Sequence, residues 1–267
     1  MSETETYEIF AIKYGERTQR IRAENFIMAD NHDAPEPLDF FVWVIRNETR
    51  TILVDTGFDR REAARRDRSV LREPVEALAL LGIDAAKLST VIVTHLHFDH
   101  AGTLDAFTGA TFHLQAAEMA FATGPCMCHP HMRAPFTADH VCAMVRNVYS
   151  GRVVFHDGDG EVAPGVSVHH MGGHSRGLQA VRVMTARGPV MLASDASHFY
   201  EHVETGKVFP IVVNVEETLE GYKRLKRLAA SRQHIIPGHD PLVLKRYPAL
   251  SPATAGIVHR LDLPPLT

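Results

Sequence analysis

Four side chains of types that commonly bind metal ions lie close together in the segment "THLHFDHAG", residues 94 to 102. In an extended chain His95, His97 and Asp99 lie on one face, because side chains alternate with period two. His100 points away unless the chain turns, and the Ala-Gly pair that follows it allows a turn. We therefore expect His95 and His97 to bind one metal ion, and Asp99 and His100 to bind a second.

Imidazole nitrogens and carboxylate oxygens are ligands that suit zinc, and iron, manganese or cobalt accept similar sets. Two such ions about 3.5–4 Å apart lower the pKa of a shared water, which supplies a hydroxide nucleophile near neutral pH. One ion also polarises a carbonyl group, and the other stabilises the oxygen that departs. The motif therefore predicts two zinc ions per chain and a hydrolase for an ester, thioester, lactone, amide or phosphodiester bond.

The elements that position this motif are short strands alternating with helices. The motif follows "STVIVTH", an apolar run typical of a strand that is buried on both faces. Similar runs, bounded by Gly, Asn or Pro, predict strands at 7–15, 40–47, 51–57, 110–115, 152–157, 166–171, 180–186, 189–195 and 234–240. Helical patterns cover 60–81, 116–123, 138–149 and 214–231. This interleaving predicts one α/β domain over residues 1–267, with helices covering sheets.

The composition is that of a soluble globular protein, with 22% charged residues and a net charge of -4. Basic residues are spread along the chain, so no nucleic-acid partner is expected. No apolar run approaches the ~20 residues of a membrane span, and no secretory signal is apparent. Three cysteines do not suggest a disulfide framework. We expect a cytoplasmic protein without membrane contact, and the sequence leaves a homodimer open.

The segment "THLHFDHAG" resembles the H-x-H-x-D-H signature of the metallo-β-lactamase superfamily, and further landmarks of that superfamily follow in order. The segments "MGGHSRG", "LASDAS" and "IIPGHD" supply His174, Asp195 and His239, each after an apolar run. The resemblance implies seven ligands, of which three bind one ion, three bind the other and one bridges both: His95, His97 and His174; Asp99, His100 and His239; and Asp195.

The same resemblance implies a supporting role for Asp55 in "LVDTG". Its carboxylate lies behind the ligands, because a ligating imidazole needs a hydrogen-bond acceptor that fixes its tautomer. Asp99 is the candidate that passes a proton to the leaving group. The implied fold is the αβ/βα sandwich, in which two mixed sheets pack together and helices cover their outer faces.

Within this superfamily the chain resembles the branch that includes N-acyl-homoserine lactone hydrolases and 4-pyridoxolactonase. "HLHFDHAGTLDAF" matches their form of the motif, and "SDASHFY" is similar to their segment around the bridging aspartate. In the quorum-quenching lactonases a tyrosine three residues after that aspartate hydrogen-bonds the substrate carbonyl. This chain has His198 at that position and Tyr200 two residues further on. Either side chain can donate a hydrogen bond, so both are catalytic candidates.

Five other side chains are candidates for contact with the substrate. Met132 and Phe136 are expected at the mouth of the active site, facing an apolar group. Phe26 and Met28 are candidates for the opposite wall, and packing in the core is the competing interpretation. Arg176 suits a substrate carboxylate, with a structural salt bridge as its alternative.

We therefore predict a dinuclear zinc hydrolase that opens a lactone ring, either an acyl-homoserine lactone or a small catabolic lactone. One alternative is a thioester or ester hydrolase of the glyoxalase II type, which shares the ligands. The other is a module of the same fold that binds metal or a partner without turnover. The complete ligand set favours an enzyme, and the segments that flank it favour a lactone substrate.

Overall fold

The structure is a computed structural model that describes residues 5–27 and 31–266. Its first sheet contains eight strands: β1 Glu8–Arg17, β2 Leu38–Arg46, β3 Thr51–Val54, β4 Ser69–Val70, β5 Thr90–Ile92, β6 Thr111–Gln115, β7 Val153–His156 and β13 Val258–Arg260. They pair in the order β13-β1-β2-β3-β5-β6-β7, and β4 pairs with β1. Strands β3, β5, β6 and β7 run parallel, whereas β13, β1, β2 and β3 alternate in direction.

The second sheet contains five strands: β8 Gly160–Ala163, β9 Val166–His170, β10 Gln179–Thr185, β11 Gly188–Ser194 and β12 Ile235–Pro237. Their order is β12-β11-β10-β9-β8, and β11 pairs with β12 in parallel. The helices are α1 Arg60–Arg66, α2 Pro74–Ala79, α3 Ala116–Ala122, α4 Pro130–Arg133, α5 Ala138–Tyr149, α6 Tyr200–Thr205, α7 Val215–Leu228 and α8 Leu242–Arg246. Among the described residues, no helix is long and apolar enough to cross a membrane.

The two faces of β2 belong to different hydrophobic cores. Phe40 and Val42 pack into the core on the outer face of the first sheet, and Phe41 and Trp43 pack into the core between the sheets. This division follows from the period of two along a strand. A third core lies between the second sheet and α7, where Leu225 is fully buried. The result is the predicted αβ/βα sandwich of two mixed sheets with helices outside.

Most of the predicted elements are present, and the strands predicted at 40–47 and 51–57 pair as the antiparallel hairpin of β2 and β3. The single helix predicted over 60–81 is wrong. Helix α1 ends at Arg66 because Asp67 adopts the left-handed conformation with φ 53°, and the next residues pair with β1 as β4. Pro74 then begins α2 at the first helical position, where it needs no hydrogen-bond donor.

The carboxyl ends of five strands meet at one edge of the sandwich. Strands β3 and β5 are parallel neighbours in the first sheet, and β11 and β12 are parallel neighbours in the second. Strand β9 runs in the same direction as β11, because each is antiparallel to β10. The loops that leave these strands therefore lie together, and they carry the residues of the candidate site.

Candidate metal centre

All seven predicted ligands come from loops at that edge. The motif follows β5, and the other three ligands follow β9, β11 and β12: His95, His97, Asp99 and His100; His174; Asp195; and His239. Asp99 is the most exposed of them at 8%, and the others are at most 3% exposed. A buried group of five imidazoles and two carboxylates needs partners for its polar atoms, because an unpaired buried polar group costs free energy.

The ligand atoms form two adjoining clusters, each compact enough for one ion. In each cluster the candidate ligand atoms lie within 4.8 Å of one another: His95, His97 and His174 in the first cluster, and Asp99, His100 and His239 in the second. In the first, the Nε2 atoms of His95 and His174 are 3.2 Å apart. Two further groups of this kind contain Asp195, one with His95 and His100 and one with His174 and His198. The resemblance to the superfamily implied the first two groups as separate metal sites.

The carboxylate of Asp195 lies between the clusters and faces each with a different oxygen. Its Oδ2 is 3.2 Å from Nε2 of His174 and 3.8 Å from Nε2 of His95. Its Oδ1 is 3.3 Å from Nε2 of His100 and 3.0 Å from Nε2 of His239. The arrangement suits a carboxylate that bridges two cations.

The hydrogen bonds behind the histidines fit zinc ligation through Nε2. Nδ1 of His100 lies 2.7 Å from the carboxylate of Asp55, and Nδ1 of His174 and of His239 lies 2.6 and 3.0 Å from backbone carbonyl oxygens. An oxygen acceptor holds the proton on Nδ1, so the Nε2 lone pair points into the cluster. Nitrogen donors of this kind, together with carboxylates, fit two zinc ions.

The two clusters differ in their electrostatics. Burial lowers the pKa of His95 and of His97 well below the ordinary value, so both imidazoles are neutral donors. Burial also acts to lower the pKa of His100 and of His239, but the nearby carboxylates, Asp195 foremost, outweigh it and raise both values. The second cluster therefore favours a positive charge, and a metal ion bound there displaces protons.

Asp55 supports the centre as predicted, through a fully buried carboxylate. It accepts hydrogen bonds from the backbone nitrogen and the hydroxyl of Thr94, at 2.7 and 2.9 Å, besides its bond to His100. The hydroxyl of Thr94 also lies 2.9 Å from that of Ser194, which precedes the bridging carboxylate. Asp55 and Ser194 adopt positive φ angles of 63° and 47°, which are uncommon outside glycine. This network joins the two sheets beneath the ligands.

Residues 38–249 match the family model of the metallo-beta-lactamase superfamily. The chain belongs to this superfamily. An N-acyl homoserine lactonase from a Bacillus species is 30% identical over 223 residues, which cover 77% of this chain and 83% of that protein. An N-acyl homoserine lactonase from Bacillus cereus is 28% identical over 76% of this chain and 82% of its own length.

Solved structures of the metallo-beta-lactamase superfamily are similar over most of the chain. A quorum-quenching N-acyl homoserine lactone lactonase is 27% identical, with a TM-score of 0.73, over 89% of this chain and 94% of that one. A second structure is that of an N-acyl homoserine lactone hydrolase with its product N-hexanoyl-L-homoserine bound at the catalytic metal centre. It is 26% identical, with a TM-score of 0.72, over 88% of this chain and 94% of that one.

Two hydrogen-bond donors were predicted after Asp195, and the structure brings one of them, His198, to the candidate metal centre. Nε2 of His198 is 3.0 Å from Oδ2 of Asp195, and its ring stacks on Phe209 at 3.7 Å between centroids. The prediction for Tyr200 is not supported, because its ring packs in the core between the sheets with Tyr247. Tyr200 is the first residue of α6, and its side chain packs in this core instead of beside His198.

The predicted apolar mouth lies beside the first cluster. Met132 and Phe121 line a small cavity that reaches His97 and His174. Phe136 packs edge-on against the ring of His97, with centroids 4.6 Å apart. The side chains around the first cluster are therefore largely apolar on the solvent side.

Arg176, Phe26 and Met28 were the remaining candidates for substrate contact. Arg176 is exposed, its guanidinium lies 5.5 Å from the ring centroid of Phe121, and no salt bridge to a described residue accompanies it. Phe26 is 1% exposed and packs against Phe199, so it belongs to the core. Met28 lies outside the described residues.

Sequence reasoning missed two buried polar residues that hold the ligand loops. The sequence pattern indicates only that Thr94 ends an apolar strand and that Glu118 is an acidic residue of an alanine-rich helix. Both are fully buried, and both hydrogen-bond to the loops of the centre. Their roles depend on partners that are distant in sequence, and the local pattern carries no signal for them.

Proposed function

We propose that this chain is a dinuclear zinc hydrolase that opens a lactone ring, with acyl-homoserine lactones as the first substrates to test. The observation that carries the proposal is the position of Asp195, whose two oxygens face two separate ligand clusters. Similarity to N-acyl homoserine lactonases over three quarters of the chain supports the lactone substrate. Apolar side chains, among them Phe121 and Met132, lie beside His97 and are the proposed contacts of an acyl substituent.

The proposed ligand assignment follows the two clusters. One zinc ion is assigned to three histidines, the other to an aspartate and two histidines, and both to one carboxylate: His95, His97 and His174; Asp99, His100 and His239; and Asp195. When bound, the two ions lower the pKa of water and polarise the ring carbonyl. The chain contributes by fixing the ligands through acceptors behind them, such as Asp55.

We propose that Asp99 transfers a proton to the alkoxide oxygen that leaves as the ring opens. Asp99 is the ligand most accessible to solvent, and its two oxygens lie 3.7 Å from Nε2 of His100 and 3.8 Å from Nε2 of His239. The hydroxyl of Tyr14 donates to its backbone carbonyl at 3.0 Å, which holds the turn in place. A carboxylate so placed can take a proton from the attacking water and pass it to the alkoxide oxygen without a large movement.

His198 is the proposed hydrogen-bond donor to the lactone carbonyl. Its ring is held by the stack on Phe209, and a donor fixed in this way needs little reorganisation. A neutral imidazole has one N–H group, so a carbonyl must compete with Asp195 for it. We expect His198→Phe to lower kcat/KM by about 10²-fold and His198→Tyr to recover most of the loss, with zinc content unchanged. Loss of zinc from His198→Phe would instead assign His198 to holding Asp195.

The test of the proposed function is pH-stat hydrolysis by zinc-loaded wild type and by His97→Ala. The panel contains short and long acyl-homoserine lactones, plain γ- and δ-lactones, carboxylated aromatic lactones and a glutathione thioester. We expect turnover of acyl-homoserine lactones above the others, and its loss in the variant. Turnover of carboxylated lactones alone would make the chain a catabolic lactonase, with Arg176→Ala as the next variant. Turnover of the thioester alone would contradict the proposal.

We further propose that the protein works in the cytoplasm. Its three cysteines are free thiols: Cys126, Cys128 and Cys142. Two of them are exposed, and exposed thiols persist best in a reducing compartment. Fractionation of the native host, followed by detection of the protein, tests this location, and recovery from the extracellular fraction would contradict it.

A further inference from the structure

Glu118 is a fully buried carboxylate that accepts three hydrogen bonds beside the first ligand cluster. It is the third residue of α3, and its Oε1 accepts from the backbone nitrogen of Leu96 at 2.9 Å. Its Oε2 accepts from the hydroxyl of Ser175 at 2.6 Å and from the backbone nitrogen of Gly177 at 2.9 Å. Burial raises the pKa of Glu118, and the hydrogen bonds from the two backbone N–H groups, which can only donate, act in the opposite direction and favour the ionised carboxylate.

The donors come from the two loops that carry the first cluster. Leu96 lies between His95 and His97, and Ser175 directly follows His174. One loop leaves the first sheet and the other leaves the second, so the side chain of Glu118 joins them. Gln179 adds a second link, because its backbone nitrogen donates to the carbonyl of Thr94 and its side chain donates to that of Val93.

The loop after His174 also packs directly on the backbone of α3. A Cβ atom at Gly177 would lie 2.1 Å from the backbone nitrogen of Glu118 and 2.4 Å from its Cα, so no side chain fits there. Close contact of this kind leaves the carboxylate no room to shift. Burial of a carboxylate is costly unless its lone pairs are satisfied, and here hydrogen bonds rather than a salt bridge satisfy them.

The second cluster has a different carboxylate behind it. Asp55 bonds to Nδ1 of His100, a ligand of the second cluster, and to Thr94. The described hydrogen bonds of Glu118 reach no residue between 98 and 100 and none next to His239. Asp55 therefore bonds directly to a ligand of the second cluster and reaches His95 of the first only through the hydroxyl of Thr94, 3.1 Å from Nδ1 of His95. Glu118 contacts only the loops of the first cluster.

We propose that Glu118 is a positioning residue that sets the affinity of the first cluster for its metal ion and leaves the second cluster unaffected. This inference rests on the ligand assignment of the proposed function. Loss of the carboxylate would free the two loops, and His95, His97 and His174 would then have to be ordered at the moment the ion binds. Partners behind metal ligands typically change affinity by about 10–100-fold.

The test uses Glu118→Gln, which keeps the size of the side chain but replaces one acceptor oxygen with an amide NH₂. That group must face either the Leu96 donor or the Ser175 and Gly177 donors, so part of the anchor is lost. Zinc affinity is measured by competition with a chromophoric chelator, in two backgrounds. His239→Ala disables the second cluster, and His97→Ala disables the first.

We expect Glu118→Gln to weaken zinc binding by about 10-fold or more in the His239→Ala background and by less than 2-fold in the His97→Ala background. Asp55→Asn should weaken binding in the His97→Ala background, because it removes the carboxylate that accepts from His100. Glu76→Gln is the matched control, because Glu76 is also the third residue of a helix and accepts from a backbone nitrogen, that of Glu73, while its other described partner is Arg60. It should change neither affinity.

Equal weakening in both backgrounds, or none in either, would overturn the inference. Circular dichroism checks that each variant is folded. If Glu118→Gln does not fold, Ser175→Ala removes a single bond to the carboxylate, and about 5-fold weaker binding is then expected at the first cluster alone. Zinc affinity is measured without turnover, so the two proposals can fail separately. If wild type hydrolysed no lactone but Glu118→Gln weakened zinc binding at the first cluster alone, the lactonase proposal would be refuted and the role of Glu118 would stand.

Discussion

Replacing Arg66 by Ala should destabilise the fold strongly, because this side chain ties α1 to the segment beside the metal centre. Its guanidinium donates to Glu62 at 2.5 Å and to three oxygens of residues 134–137, each at 2.9 Å. It also lies 4.1 Å from the ring centroid of Phe98, within the ligand motif. The segment that it holds includes Phe136, which packs on His97.

The magnitude follows from the bonds that are lost. The bond to the buried carboxylate of Glu62 contributes about 1.5–3 kcal/mol, and each of the three neutral acceptors about 1 kcal/mol. Water replaces part of the neutral bonds, and about 2 kcal/mol of side-chain entropy is regained. We expect Arg66→Ala to lower the free energy of unfolding by about 2–4 kcal/mol in urea denaturation at pH 7.

Arg65→Ala is the matched control, because Arg65 contacts the same carboxylate. Its side chain is 55% exposed, against 20% for Arg66, so we expect a loss below about 1 kcal/mol. Burial acts to raise the pKa of Glu62, but the hydrogen bonds from Arg66 and Thr137 and the charge of Arg66 together outweigh it, and the net shift is downward. The difference between wild type and Arg66→Ala should therefore shrink below about pH 4.5, as Glu62 is protonated. Equal losses for the two arginines would refute this reasoning.

Three further outcomes are expected. Burial, with a contribution from His156, lowers the pKa of His113 to about 4, so the unfolded chain binds its proton first and stability falls between pH 6.5 and 4. The full pKa shift corresponds to about 3 kcal/mol, and partial exposure reduces this to about 1–2 kcal/mol. In urea denaturation, the free energy of unfolding of His113→Leu should therefore fall by about 1–2 kcal/mol less than that of wild type over this pH range. Gly102→Ala should lose at least about 3 kcal/mol or fail to fold, because its Cβ would lie 2.5 Å from the carbonyl oxygen of Gly57; wild-type stability would contradict this. Removal of zinc by a chelator should lower Tm in calorimetry, by an amount equivalent to about 2.7 kcal/mol for each site held at 100 times its Kd, and an unchanged Tm would count against metal binding.

The ligand loops could be predicted from the sequence because each follows a short apolar strand. The position of a residue just after such a strand fixes it at one edge of the sheet, which applies to His174, Asp195 and His239 alike. The continuous apolar run before the motif likewise predicted a strand that is buried on both faces, and Val91 and Ile92 of β5 are buried. These features depend on local periodicity, which a single sequence displays directly.

The errors have the opposite origin. Nothing near Asp67 indicates that the chain will leave the helix to pair Ser69 and Val70 with β1, because that pairing depends on a strand more than fifty residues earlier. Tyr200 was a plausible donor by spacing, but the direction in which α6 begins decides where its ring points. No pattern in the sequence predicts the role of Glu118 for the same reason, since its three hydrogen-bond donors come from other loops.

The bond between the hydroxyls of Thr94 and Ser194 marks a seam at which two sheets of distant sequence origin meet. The two residues are 100 positions apart in the sequence, and we expect contacts across this seam to be absent from the folding transition state. Interactions that are absent from the folding transition state slow unfolding and leave the folding rate nearly unchanged. Metal ions that join the two sides of the seam would therefore lengthen the lifetime of the native protein more than they hasten its formation.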